Sequence, residues 1–130
     1  MLRLLFIAIG GAFGALFRYA ISGMTYRFLD GGFPWGTLVV NLSGAFAIGF
    51  LWGLFEGTTI STEFRSFAFI GFIGSFTTFS TYALETINLF RDGEMKFALS
   101  NILISNILGI ILVLVGLVAS KYLVNLIAGR

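Results

Sequence analysis

The densest run of chemically capable residues in this 130-residue chain is Gly71-Phe72-Ile73-Gly74-Ser75-Phe76-Thr77-Thr78-Phe79-Ser80-Thr81-Tyr82, set inside an otherwise apolar stretch. Two glycines and a series of hydroxyl side chains weaken a helix, because glycine costs backbone entropy and hydroxyls compete for the backbone's own hydrogen bonds. The run therefore predicts a helix break near Gly74 to Thr78. Non-helical main chain at membrane depth persists only where it is buried in protein or lines a cavity, and its freed carbonyls suit a hard cation. If two antiparallel copies brought their breaks together, carbonyls from both would hold one sodium ion. Beyond the break, Phe79 and Tyr82 lie three residues apart on one face, beside a polar track of Ser80, Thr81 and Glu85. An aromatic ring is negative on its face and positive on its edge. Ring edges can thus meet an anion without trapping it, which is the compromise conduction needs. The duller alternative for both rings is packing.

Other polar residues fall where a bilayer makes them expensive, and ionisable groups there cost about 3 kcal/mol each on insertion scales. Arg18 either snorkels to a headgroup or draws anions into a vestibule. Glu85 either acts on a pathway or is simply held by neighbouring hydroxyls. Asn41 carries a side-chain amide with two donors, for an anion or for a tie to another helix. Asn101, Ser105 and Gly109 recur at a spacing of four and share one helical face, lining a path or joining helices. The chain has no cysteine and no histidine, which removes disulfides, thiol nucleophiles, soft-metal sites and the usual general base. Glu85 has no evident acid, base or metal partner, so no enzyme is expected.

The elements that must position these groups follow from hydropathy. The chain is 58% hydrophobic and 11% charged, whereas soluble domains are roughly half apolar and a quarter charged. A helix needs about 20 apolar residues to cross the hydrocarbon layer. Four stretches qualify, at 2–28, 35–55, 64–90 and 97–127, and together they make one all-α transmembrane domain over residues 1–130. The first is read as a retained helix rather than a signal peptide, because Arg18 follows the apolar run and further spans come after. Charge and turn formers gather between the spans, at Asp30-Gly31-Gly32-Phe33-Pro34, Glu56-Gly57 through Glu63, and Arg91-Asp92-Gly93-Glu94. Such short loops make neighbouring helices antiparallel and put both termini on one side. Pro34 sits just before the second span, where its missing amide proton costs nothing. Tyr26, Trp35, Trp52 and Tyr122 fall near span ends, as interfacial anchors do. Glycine pairs such as Gly10 with Gly14 and Gly44 with Gly49 allow the close backbone approach by which helices associate in lipid.

Charge does not fix the orientation. Cytoplasmic loops normally carry the excess of Lys and Arg, yet Arg3, Arg65, Lys121 and Arg130 lie on the terminal face against Arg27, Arg91 and Lys96 opposite. With so little bias the chain is expected to insert both ways round and to pair as an antiparallel dimer. The net charge of +2 is too small and too scattered for a nucleic-acid partner.

Taken together, Gly10-Gly11-Ala12-Phe13-Gly14-Ala15-Leu16-Phe17-Arg18, Gly36-Thr37-Leu38-Val39-Val40-Asn41, and Gly74 through Tyr82 with Glu85 resemble the Fluc (CrcB) fluoride channels over nearly the whole chain. The resemblance implies an antiparallel, dual-topology homodimer in the inner (plasma) membrane, with two fluoride pathways and a central structural sodium ion. It implies that Gly74 and Thr77 offer carbonyls to that sodium, Phe79 and Tyr82 ring edges to fluoride, and Asn41 an amide donor. Ser80, Thr81 and Glu85 match the polar track, Arg18 the vestibule arginine, and Ser105 a pathway hydroxyl. Two positions depart from the family: Tyr82 stands where phenylalanine is usual, and Asn101 replaces a tyrosine.

The expected function is passive export of fluoride, protecting a cell in which acid-driven entry of hydrogen fluoride traps the anion. A small dual-topology multidrug transporter is the alternative, but that type works through a glutamate in its first helix, and the first span here offers only Arg18. A subunit with a purely structural role is the other.

Overall fold

The computed structural model describes residues 1–29 and 31–129; Asp30, read as part of the first loop, and Arg130, counted among the terminal-face cations, lie outside them. Among the described residues there are helices and no strands: α1 (Leu2–Phe28), α2 (Trp35–Phe55), α3 (62–76), α4 (Phe79–Arg91) and α5 (Met95–Ile127). Four units are long and apolar enough to cross a membrane, namely α1, α2, the α3–α4 pair spanning Thr62–Arg91, and α5. The third starts earlier than expected because the Ser61 hydroxyl accepts from the Phe64 amide at 3.1 Å and caps it. Gly57 (φ 78°) and Gly93 (φ 80°) close the ends of α2 and α4 in the left-handed region, which a residue without a Cβ enters freely.

The third span has a second irregularity besides its break. Between an α-turn at Thr62–Arg65 and another at Gly74–Phe76, residues Ser66–Ile73 form a π-helix, a wider coil uncommon outside functional sites. This segment packs against α1, as α2 packs against α5. Both seams are lined by glycine. A Cβ on Gly10 or Gly14 would collide with the Phe67 or Phe72 carbonyl, and one on Gly71 would stand 2.7 Å from the Ile7 carbonyl. Across the other seam a Cβ on Gly49 or Gly116 would meet the Val113 or Phe46 carbonyl. With no hydrophobic drive between helices in lipid, this close van der Waals approach holds the bundle together.

Burial runs opposite to that of a soluble protein. Of the most apolar stretch of α5 only 6% is buried, and Leu103, Ile110, Leu114 and Val118 are exposed, whereas Thr37, Ser66, Thr78, Thr86, Asn101 and Ser120 are buried. Many large apolar side chains face the lipid, and the buried polar groups share the interior with an apolar core that includes Leu38, Ile73, Phe76 and Leu89. On the terminal face Arg3 Nε donates to Ser66 Oγ at 3.0 Å, and Lys121 pairs with Glu56 at 3.1 Å. On the opposite face Phe33 is buried between the rings of Trp35 and Phe97, at centroid distances of 4.7 and 5.8 Å.

Candidate functional site

The chain leaves the helix at Thr77 (φ −83°, ψ 158°) and Thr78 (φ −146°, ψ 117°), both extended, inside the expected window. Gly74 stays helical (φ −61°, ψ −31°), so the break is made by hydroxyls and by a neighbouring helix rather than by glycine. The Thr77 amide and hydroxyl both donate to the Ile73 carbonyl at 3.1 Å, closing α3. The Thr78 hydroxyl caps α4 by accepting from the Thr81 amide at 3.2 Å and donates to Thr81 Oγ1 at 3.0 Å.

Asn41 on α2 grips the extended peptide at both ends: its Nδ2 donates to the Thr78 carbonyl at 2.9 Å and its Oδ1 accepts from the Thr78 amide at 2.8 Å. The amide side chain thus imitates the peptide group of a facing strand. In an unbroken helix the Thr78 and Thr81 amides would donate to the carbonyls of Gly74 and Thr77. Both are diverted, one to Asn41 and one to the Thr78 hydroxyl, so those two carbonyls lose their helical donors. Asn41 makes the helix tie foreseen for it and keeps one N–H without an acceptor.

A cavity of about 260 Å³ opens beside this clamp, lined by Asn41, Thr77, Thr78, Phe79, Tyr82 and Ser105 among others. Four expected site residues, Asn41, Phe79, Tyr82 and Ser105, therefore meet around one space, and the N-terminus of α4 stands at its edge. Free amides and the helix dipole there favour negative charge. The Phe79 and Tyr82 rings lie 5.6 Å apart at 48°. Phe79 is 79% exposed, far more than packing within one subunit would leave.

The other expected residues stand on the far side of Thr78. Arg18 and Thr81 line a second cavity of about 490 Å³ with Tyr26, Thr37 and Thr78, and Arg18 has no ion pair among the described residues. Tyr26 continues into a third space of about 310 Å³, which Glu85 lines. There Glu85 Oε1 accepts from the Thr37 hydroxyl at 2.9 Å and the Tyr26 hydroxyl at 3.3 Å, while Oε2 is buried without a partner. Tyr26, expected as an interfacial anchor, turns its hydroxyl to this carboxylate. Ser80 lines none of the three cavities and lies 3.3 Å from the Thr78 hydroxyl.

On α5 the stripe divides. Asn101 is 2% exposed; its Nδ2 donates to Thr86 Oγ1 at 2.9 Å and its Oδ1 accepts from Ser105 at 3.3 Å, which makes it a strut between α4 and α5. Asn106, not foreseen, lines the first cavity and donates to the Tyr82 hydroxyl at 3.0 Å. A carboxamide in so apolar a span was itself the signal, and so was the Thr37 hydroxyl four residues ahead of Asn41. Among the described residues no three His, Cys, Asp or Glu side chains gather as metal ligands.

These features define the class: a multi-pass integral membrane protein with a polar, backbone-lined site at mid-span. The family model described as CrcB-like protein, Camphor Resistance (CrcB), matches residues 5–117, and the chain belongs to that family. The resemblance read from its motifs is thereby confirmed. Among its relatives is a fluoride-specific ion channel of Salinibacter ruber, 48% identical over 125 residues that cover 96% of this chain and 94% of that one. Another, of Parabacteroides distasonis, is 43% identical over 127 residues, covering 98% and 99%. A third, of Desulforapulum autotrophicum, is 44% identical over 120 residues, covering 92% and 96%. Each bears the name of a channel rather than an enzyme.

Proposed function

We propose that the chain is a passive, fluoride-selective channel of the bacterial plasma membrane, working as an antiparallel pair of identical subunits with two pathways. Its relatives' names supply the ion, and the chain supplies a site suited to it. The observation that carries the reading is the Asn41 clamp. It holds a helix open at mid-span next to ring edges, an uncommitted amide proton and a helix N-terminus, donors that attract an anion without a full charge to trap it. Arg18 would concentrate anions at a mouth, and Thr81 and Glu85, which line the second and third cavities, would continue the route. A second copy would cover the exposed Phe79 ring and complete each pathway.

The Gly74 and Thr77 carbonyls fit a sodium ion, being hard oxygen donors whose helical partners are diverted. Both carbonyls from each copy would hold it at the pair's axis. Its charge would pin the two breaks together.

Proteoliposomes under a fluoride gradient, followed with a fluoride electrode, should release fluoride and retain chloride by a wide margin. Equal leakage of both anions, or none of either, ends this reading.

A further inference from the structure

The Tyr82 hydroxyl and Asn106 form a pair whose proton inventory can be closed. Asn106 Nδ2 lies 2.7 Å from the Ile102 carbonyl oxygen and 3.0 Å from the Tyr82 hydroxyl. A carbonyl oxygen can only accept, so the atom beside it must be the amide nitrogen, which settles the side-chain orientation that amides otherwise leave open. That nitrogen carries two hydrogens and has no acceptor capacity. One hydrogen goes to Ile102 and the other to the phenol oxygen. Tyr82 therefore cannot donate to Asn106, and its own proton has no acceptor among the described residues.

We infer that Asn106 positions the Tyr82 phenol as a hydroxyl donor to the permeating anion, a subsite that a phenylalanine at this position would lack. This rests on the channel reading. Tyr82 and Asn41 line the same cavity, so the two residues that carry an uncommitted donor border one space. A hydrogen bond to an anion is stronger than one between neutral groups, and here it is added to the ring edge. Asn106 strengthens it in two ways: it fixes the ring's rotation, and by donating to the phenol oxygen it polarises the O–H bond. The added donor tightens occupancy while leaving passage open.

The test compares Tyr82→Phe and Asn106→Leu, singly and together, in proteoliposome flux over a fluoride series. Tyr82→Phe keeps the ring edge and should raise the half-saturating fluoride concentration about tenfold, the effect of losing one hydrogen bond to a charged group. Asn106→Leu should raise it roughly threefold, as expected for a lost polarising bond, and should add nothing in the Tyr82→Phe background. An unchanged half-saturation in Tyr82→Phe overturns the inference, as does an Asn106→Leu effect that persists without the hydroxyl, since that is a packing role. Near-ultraviolet difference spectra of the tyrosines during fluoride titration give a readout independent of transport. A fluoride-dependent shift lost in Tyr82→Phe supports the subsite, and its absence from the unmodified protein refutes it. A protein that conducts fluoride without either signature loses only this subsite, whereas one that does not conduct loses the channel reading.

Discussion

Truncating Asn41 would strip the Thr78 amide and carbonyl of their partners at once, while the main chain around them stays extended. Leaving a buried polar group unsatisfied costs about 1–3 kcal/mol, so Asn41→Ala should unfold at a clearly lower temperature in detergent and lose nearly all fluoride flux. Asn41→Asp separates the two duties, because it keeps an acceptor for the Thr78 amide but sets an anionic oxygen against the Thr78 carbonyl and the pathway. It should fail in transport even where thermal unfolding shows folded protein remaining, and retained fluoride flux in Asn41→Asp would detach this residue from the anion. At this scale the sequence was legible at several polar residues set in apolar spans, such as Asn41, Tyr82 and Ser105, but not at Asn106 or Thr37. Hydrogen-bond direction was not legible. The clamp on Thr78, the inward turn of Asn101 and the Asn106–Tyr82 pair depend on which rotamer a neighbouring helix permits, and spacing along one chain does not report that.

The break in the third span was foreseeable from its run of hydroxyls competing for the helix's own bonds, although the glycines counted with them, Gly71 and Gly74, stay helical. The π-helical turn before it was not. Apart from Gly71, nothing in Ser66–Ile73 distinguishes its sequence from that of an ordinary apolar helix, and its environment lies on another element, where α1 brings Gly10 and Gly14 against the Phe67 and Phe72 carbonyls. The glycines themselves were visible, but the coil they accommodate was not. A methyl group placed in that seam should force it apart, overpacking of this kind costing about 1–3 kcal/mol. Gly14→Ala is therefore expected to lower the unfolding temperature in detergent. Gly23→Ala, on the same helix with nothing within 4 Å of the added carbon, should leave it unaltered. Equal behaviour of the two variants would mean that the seam is looser than its geometry.

For the whole molecule, four spans with short loops followed from hydropathy, and the near balance of cations across the two faces was a count along the chain. How the proposed pair of subunits would meet is not written in either. The balance makes the proposed dual topology testable: accessibility tags on each terminus should be detected on both sides of the membrane. Three lysines added at the carboxyl end should bias insertion to one orientation and abolish flux, and co-expression with a chain biased the other way should restore it. Uniform sidedness of the unmodified protein would remove the antiparallel pair. The double grip of Asn41 on Thr78 carries a consequence for the kind of conductor this is. A peptide unit tied at both ends is a poor hinge, and the proposed route would then contain no door to swing where it passes the clamp. Current through such a conduit should rise in proportion to the driving force, without voltage-dependent onset or a closed resting state, open for as long as the fold endures.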